Sequence, residues 1–228
     1  GRLLNWLSRF GRDALANTWF LFTADHGDMQ GDHHLWRKTY AYEGSTRIPF
    51  LIVPPGRLAG SGSQPQALRG VADEVVELRD VMPTLLEAAG LPVPGTVDGR
   101  SLLPLLRNAT QGGEAEEWRP YIHGEHSTCY STQQEMQFVT DGRFKFVWLP
   151  RIGVEQFFDL EQDPGECVDL IDDSGRQDEI AQWRGYLVRE LAARDCGWVR
   201  AGALVKPPDE PLVSPYKDVR WPGDKRLE

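Results

Sequence analysis

Asp25 and His26 stand side by side at the end of an apolar run, and Lys38 follows the aspartate by thirteen residues. A carboxylate oxygen and an imidazole nitrogen that converge on one point can hold a divalent cation. Ca²⁺, Mg²⁺, Mn²⁺ and Zn²⁺ all accept such donors, and two ligands do not choose among them. An ammonium at Lys38 can then neutralise an anionic group held on that cation, or the oxygen that leaves it. Neighbouring side chains on a regular strand point to opposite faces, so the pair needs an irregular turn, and Gly27 permits one. Taken singly, these residues have plainer readings. An Asp-His-Gly triplet is commonly a turn with a capping Asp, and a lone lysine is commonly solvated. His33 and His34 can be structural, and Arg47 is a natural partner for Glu43. His123 and His126, in Tyr121-Ile122-His123-Gly124-Glu125-His126, are chemically suggestive but unspecific. No obvious nucleophile accompanies the site.

These groups need elements to position them. Leu3, Leu7 and Phe10 recur at helical spacing, so residues 2–10 are predicted as an amphipathic helix stopped at Gly11. Residues 18–23 and 48–53 are continuous apolar runs, predicted as strands buried on both faces, as in a parallel sheet. Asp25 and His26 fall just past the first of them. Ligands in open α/β sheets bind beyond the carboxyl ends of the strands. Residues 60–66 read as a Gly/Ser/Pro loop and 71–78 as a strand. Asp80 reads as the N-cap of a helix through Ala89, with Pro83 in its first turn and Gly90 after its end. Residues 102–106 form a short apolar turn or helix. Asp141-Gly142 between two apolar runs signals a β-hairpin over 137–148. Residues 155–160 add a third antiparallel strand. Ile180, Trp183, Leu187 and Leu191 share one face of a helix over 176–194. From Pro207 onward, repeated prolines deny the tail regular structure, with Tyr216 and Trp221 as anchors to the body.

The chain has 228 residues, enough for a sizeable core. Its net charge of −9 argues against nucleic-acid binding by bulk electrostatics, though local cations can still serve an anionic substrate. No apolar run reaches the ~18 residues that a membrane helix needs. Cys129, Cys167 and Cys196 are widely spaced without a CxxC, which disfavours a zinc site or a disulfide framework.

Residues 23–53 closely resemble a conserved block of the sulfatase family, within the alkaline phosphatase superfamily. The resemblance rests on Asp25-His26-Gly27, Gly31-Asp32-His33, Lys38, Glu43 and Arg47-Ile48-Pro49. It continues in Asp80–Gly90, Gly99–Leu106, the strand around Gly142–Lys145, and Phe158–Glu166. It implies an α/β fold: part of an alkaline-phosphatase-like sandwich with a mostly parallel central sheet, followed by a small antiparallel sheet with a packed helix. The implied division is 1–115 for the catalytic α/β part, 116–200 for the small sheet and helix, and 201–228 for the tail. In the family, the residues matching Asp25 and His26 ligate a divalent cation, usually Ca²⁺, with Mg²⁺ or Mn²⁺ as alternatives. The residue matching Lys38 contacts the sulfate and the leaving oxygen. The family nucleophile is a formylglycine made from a cysteine in a Cys-x-Pro/Ala-x-Arg motif, which none of the three cysteines here matches. The resemblance therefore implies the C-terminal portion of a longer hydrolase, inactive by itself, acting on a small-molecule or glycan sulfate ester. His26, where many sulfatases carry Asn, keeps phosphonate monoesters and phosphodiesters open as alternatives. A non-catalytic metal- or anion-binding module is the third reading. The loops 28–37 and 123–134 and the Pro-rich tail are candidates for specificity, with His33, Trp36 and His126 as candidate substrate contacts.

Overall fold

The computed structural model describes residues 2–11, 17–55, 70–111, 117–128, 131–194 and 197–208. The loop expected at 60–66, Cys129, Cys196, Tyr216 and Trp221 lie outside the described residues.

The best-packed part is a four-stranded antiparallel sheet in the order β3 (Ile122–His126), β4 (Met136–Thr140), β5 (Phe144–Leu149), β6 (Val154–Asp159). The predicted hairpin is there: Asp141 Oδ1 accepts from the amides of Arg143 (2.9 Å) and Phe144 (2.7 Å), and Gly142 takes φ 90°. Only glycine adopts that conformation without strain. Strand alternation sends Val139, Phe146, Trp148 and Phe157 to one face. There they meet Ile180, Trp183, Leu187 and Leu191 of a helix over Gln177–Ala192. This is the helical face read from the sequence. The opposite face of the sheet is covered as well. Met136, Phe138, Val147 and Phe158 pack with Ala41 and Tyr42, from the segment that follows Lys38.

β1 (Phe20–Thr23) and β2 (Phe50–Val53) form a separate two-stranded sheet. They pair with each other antiparallel, so the parallel pairing expected for them is not seen among the described residues. Nor are they buried on both faces, since Phe22 is 63% and Leu51 53% exposed. The helices of this part are α1 (Arg2–Leu7), α2 (Glu43–Thr46), α3 (Val81–Ala88) and α4 (Leu103–Gln111). The helix over Gln177–Ala192 is α5. A 3₁₀ turn over Ser8–Phe10 extends α1 to Gly11, as predicted.

Residues 71–78 are not a strand. The Val75 carbonyl accepts from the Trp118 indole (2.9 Å), and Glu77 closes a capping box with Asp80 around a 3₁₀ turn over Leu78–Asp80. Side chains thus satisfy backbone that a strand partner would otherwise take. Asp80 sits at the start of α3 but does not cap it. Fully buried, its carboxylate receives the Arg100 amide (2.8 Å) and both Arg119 terminal nitrogens (3.0 and 2.6 Å). With the Glu77 amide of the capping box also on Oδ2, the carboxylate is fully engaged and has no oxygen left for the first turn of α3.

β3 went unread in the sequence because Gly124 interrupts it. A Cβ there would lie 2.1 Å from the Phe138 ring, so the glycine is what lets that ring lie across the strand. Leu187→Ala in α5 is expected to cost about 2–5 kcal/mol through the cavity it leaves. A urea denaturation midpoint unchanged by the substitution would show that α5 does not hold the sheet.

Candidate active site

β1 ends at Thr23, and the chain turns at once. The His26 amide donates to Asp25 Oδ1 (3.1 Å), which curls the pair back on itself. The Gly27 amide donates to the Ser45 carbonyl (2.8 Å), tying the turn to α2. A Cβ on Gly27 would sit 2.2 Å from the Gly44 carbonyl oxygen, so no other residue fits there. Ser45 Oγ in turn donates to the Lys38 carbonyl (2.6 Å). α2 therefore holds both the Asp25-His26 turn and the backbone that carries Lys38.

The three side chains converge. His26 Nε2 lies 3.4 Å from Asp25 Oδ2 and 2.6 Å from Lys38 Nζ. His26 Nδ1 lies 2.7 Å from its neighbour's carbonyl, Gly27 O. A carbonyl only accepts, so Nδ1 carries the proton of the neutral ring, and the lone pair sits on Nε2. That is the tautomer a metal-bound imidazole needs, with its second nitrogen held by a carbonyl, and a cation on Nε2 would take the place the Lys38 ammonium holds here. Asp25 is mostly exposed, so its oxygens are available. The donor set fits a divalent cation that Asp25 and His26 would hold from one side. Among the described residues no cluster of three or more His, Cys, Asp or Glu side chains surrounds such a position, so these two would supply only part of a shell.

The loop between them is unusual. Gln30, His33, His34 and Arg37 all have positive φ (48°, 52°, 59° and 75°). Such backbone costs energy and persists only when its surroundings enforce it. Here the neck is pinned by the Met29 amide on the Arg37 carbonyl (2.8 Å), with Met29 itself buried. His33 stacks on Tyr42 (4.1 Å, 5° between planes), and its Nε2 meets the Gly165 carbonyl (2.9 Å). His33 thus braces the loop against the segment after β6. Trp36 is 68% exposed. His126 sits on the edge strand β3 with its Nδ1 against the Ser127 carbonyl. Among the described residues, no hydrogen bond or ion pair joins Trp36 or His126 to Asp25, His26 or Lys38. Arg47 pairs with Glu43 (3.8 Å), as the sequence suggested.

Lys145 and Glu166 belong to the stretches that carry the family resemblance. Lys145, on β5, is fully buried. Its Nζ donates to Glu43 Oε1 (2.6 Å), Glu166 Oε1 (2.8 Å) and the Ala41 carbonyl (2.9 Å). Glu166 Oε2 accepts the Glu43 amide (2.6 Å) at the start of α2. One ammonium thus faces two carboxylates. Burial pushes the Glu166 carboxyl above its usual range, and the Lys145 charge pulls against that rise. The signal for this cluster was a lysine inside the apolar strand Phe144–Leu149, since lysine is almost never fully buried unless paired.

Residues 31–192 match the family described as N-sulphoglucosamine sulphohydrolase, C-terminal, a stretch that takes in Lys38, Glu43, Lys145 and Glu166. The chain belongs to the sulfatase family. An arylsulfatase of Clostridium perfringens is 43% identical over 208 residues, covering 90% of this sulfatase chain and 40% of that protein. The solved structure of a 2-O GAG sulfatase superposes with a TM-score of 0.67 at 29% identity, covering 80% of this chain and 38% of that one. A phosphonate monoester hydrolase from Silicibacter pomeroyi superposes with a TM-score of 0.59 at 26% identity, covering 85% and 37%. The sulfatase chain thus spans about 40% of the length of the arylsulfatase it matches. Its fold is the alkaline-phosphatase-like α/β fold that the sequence implied.

Lys145→Met leaves the buried Glu166 carboxylate and the partly buried Glu43 without their cation, which is expected to cost about 3–5 kcal/mol. Glu166→Gln removes one of the two negative charges and is expected to cost less. Urea midpoints of the two variants give the order, and the reverse order would mean that the ammonium does not hold the cluster together.

Proposed function

We propose that this chain supplies the metal-and-lysine side of a sulfate ester hydrolase active on small-molecule or glycan sulfate esters. The observation that carries the reading is the convergence of Lys38 Nζ (2.6 Å) and Asp25 Oδ2 (3.4 Å) on His26 Nε2. Asp25 and His26 would hold a divalent cation, Ca²⁺ before Mg²⁺ or Mn²⁺, through a carboxylate oxygen and an imidazole nitrogen. When bound, the cation supplies Lewis-acid stabilisation of the anionic ester oxygens. Lys38 places a fixed positive charge against the same oxygens and donates a hydrogen bond to the departing alkoxide or phenoxide, where negative charge grows as the ester bond breaks. Gly27 and Ser45 keep the two halves of the site in register. The nucleophile, by family resemblance a formylglycine from a Cys-x-Pro/Ala-x-Arg motif, matches none of the three cysteines here, and the described residues supply no cluster of three His, Cys, Asp or Glu ligands. Similarity to an arylsulfatase and to a 2-O GAG sulfatase supports the choice of sulfate.

Lys38→Ala in the protein that contains this chain is expected to lower kcat about a hundred- to a thousandfold. Circular dichroism would show whether the fold is kept. Turnover near that of the parent protein would remove Lys38 from the mechanism.

A second reading, phosphonate monoester or phosphodiester hydrolysis on the same scaffold, is favoured by the likeness to the Silicibacter pomeroyi enzyme and by His26 in place of Asn. Sulfuryl and phosphoryl groups share shape and in-line geometry, so the two residues and the lysine serve either. Comparison of kcat/KM on matched aryl sulfate, phosphonate monoester and phosphodiester decides between them. The sulfate is expected to lead, and a lead for either phosphorus ester would reverse the assignment.

A further inference from the structure

Two elements frame Lys38 in the chain: the loop 28–37 before it and α2 after it. Lys38 is itself exposed, so packing does not decide where its ammonium starts; the backbone does. That backbone is held on both sides. The Arg37 carbonyl accepts the Met29 amide (2.8 Å), and the Lys38 carbonyl accepts the Ser45 hydroxyl (2.6 Å). The first hold is only as good as the shape of the loop behind it. That loop contains four non-glycine residues at positive φ, His33 among them at 52°. Backbone of this kind persists only with an external hold.

His33 supplies one. Its ring stacks on Tyr42 (4.1 Å, 5° between planes), and its Nε2 lies 2.9 Å from the Gly165 carbonyl. A carbonyl only accepts, so Nε2 donates and its proton is committed. Gly165 directly precedes Glu166, whose Oε2 accepts the Glu43 amide at the start of α2 (2.6 Å). The loop before Lys38 and the helix after it are thus gripped by two consecutive residues. The grip is stiff. The Glu166 amide donates to the Asp163 carbonyl (3.1 Å), and the Val168 amide donates to Asp163 Oδ2 (2.7 Å). The buried Lys145 ammonium holds Glu166 Oε1 (2.8 Å).

We infer that His33 is a positioning residue for Lys38: its hydrogen bond to Gly165 holds the loop on the same turn that holds α2, and so fixes the ammonium against the departing oxygen. This role rests on the ester-hydrolase reading above, in which Lys38 meets that oxygen. It differs from the substrate contact expected of His33 from its residue type, because the ring reaches protein and touches no reacting atom. A slightly misplaced ammonium loses most where the leaving oxygen carries the most negative charge.

The test is a pair of amide substitutions in the protein that contains this chain. Asparagine tolerates positive φ but is too short to reach Gly165, whereas glutamine extends an amide N–H to about the place of Nε2. Neither has the ring that stacks on Tyr42, so the two differ in reach. His33→Asn is expected to lower kcat about tenfold on phenyl sulfate and about threefold on para-nitrophenyl sulfate, whose phenoxide needs less help, with KM little changed. His33→Gln should restore most of the turnover of phenyl sulfate. In a Lys38→Ala background His33→Asn should have almost no effect, since a loss routed through Lys38 is not taken twice. A purely structural residue would lower both substrates equally and multiply with Lys38→Ala. Equal losses on the two esters, losses that multiply, or a His33→Gln protein no better than His33→Asn would each overturn the positioning role. A His33→Asn protein that fails to fold by circular dichroism overturns it as well, since His33 would then hold the fold rather than the lysine. A Lys38→Ala protein with full turnover fails the ester-hydrolase reading itself. A slow Lys38→Ala protein beside a His33→Asn protein as fast as the parent fails the positioning role alone.

Discussion

Everything that positions the candidate chemistry hangs on one buried ammonium. Lys145 reaches through the sheet face to Glu43 and Glu166, and Glu166 in turn holds the first amide of α2. Without that anchor α2 is a single turn of four residues, too short to persist unaided. With it, α2 offers the Ser45 carbonyl to Gly27 and the Ser45 hydroxyl to the Lys38 carbonyl. A charge buried in the four-stranded sheet thereby sets the spacing of a carboxylate, an imidazole and an ammonium that belong to another part of the chain.

The ion cluster stands beside an apolar contact with the same geometry. Ala41 and Tyr42 complete the second face of the sheet, and Tyr42 stacks under His33. The apolar contact supplies most of the attraction, since area removed from water scales with the side chains covered. The polar cluster fixes the register, because an ammonium with three hydrogen bonds tolerates little sliding. The positive-φ residues 30, 33, 34 and 37 are affordable in this setting, with the loop clamped at its neck and at His33.

Local signals carried much of this. The face of α5 was legible because its four core residues repeat at helical spacing, and the hairpin because Asp141-Gly142 suits one turn type. Asp25, His26 and Lys38 were legible by residue type, though their meeting point depends on a loop of non-glycine residues at positive φ, which no periodicity announces. Long-range pairing left no local mark at all. Glu43 finds Lys145 and Glu166 across more than a hundred residues. β1 and β2 misled because a continuous apolar run looks the same whether its outer face meets protein or water. The 71–78 segment misled because β-branched residues were weighed without the indole and carboxylates that claim its backbone.

The span of the Glu43–Glu166 bond, 123 residues, has a consequence for the order of events at the ribosome. At roughly 5–20 residues per second, Glu166 is added about 6–25 s after Glu43. During that interval the nascent Asp25-His26 turn and Lys38 have no sheet to lean on. The Asp25-His26-Lys38 geometry thus gains its anchor only once Glu166 has been added.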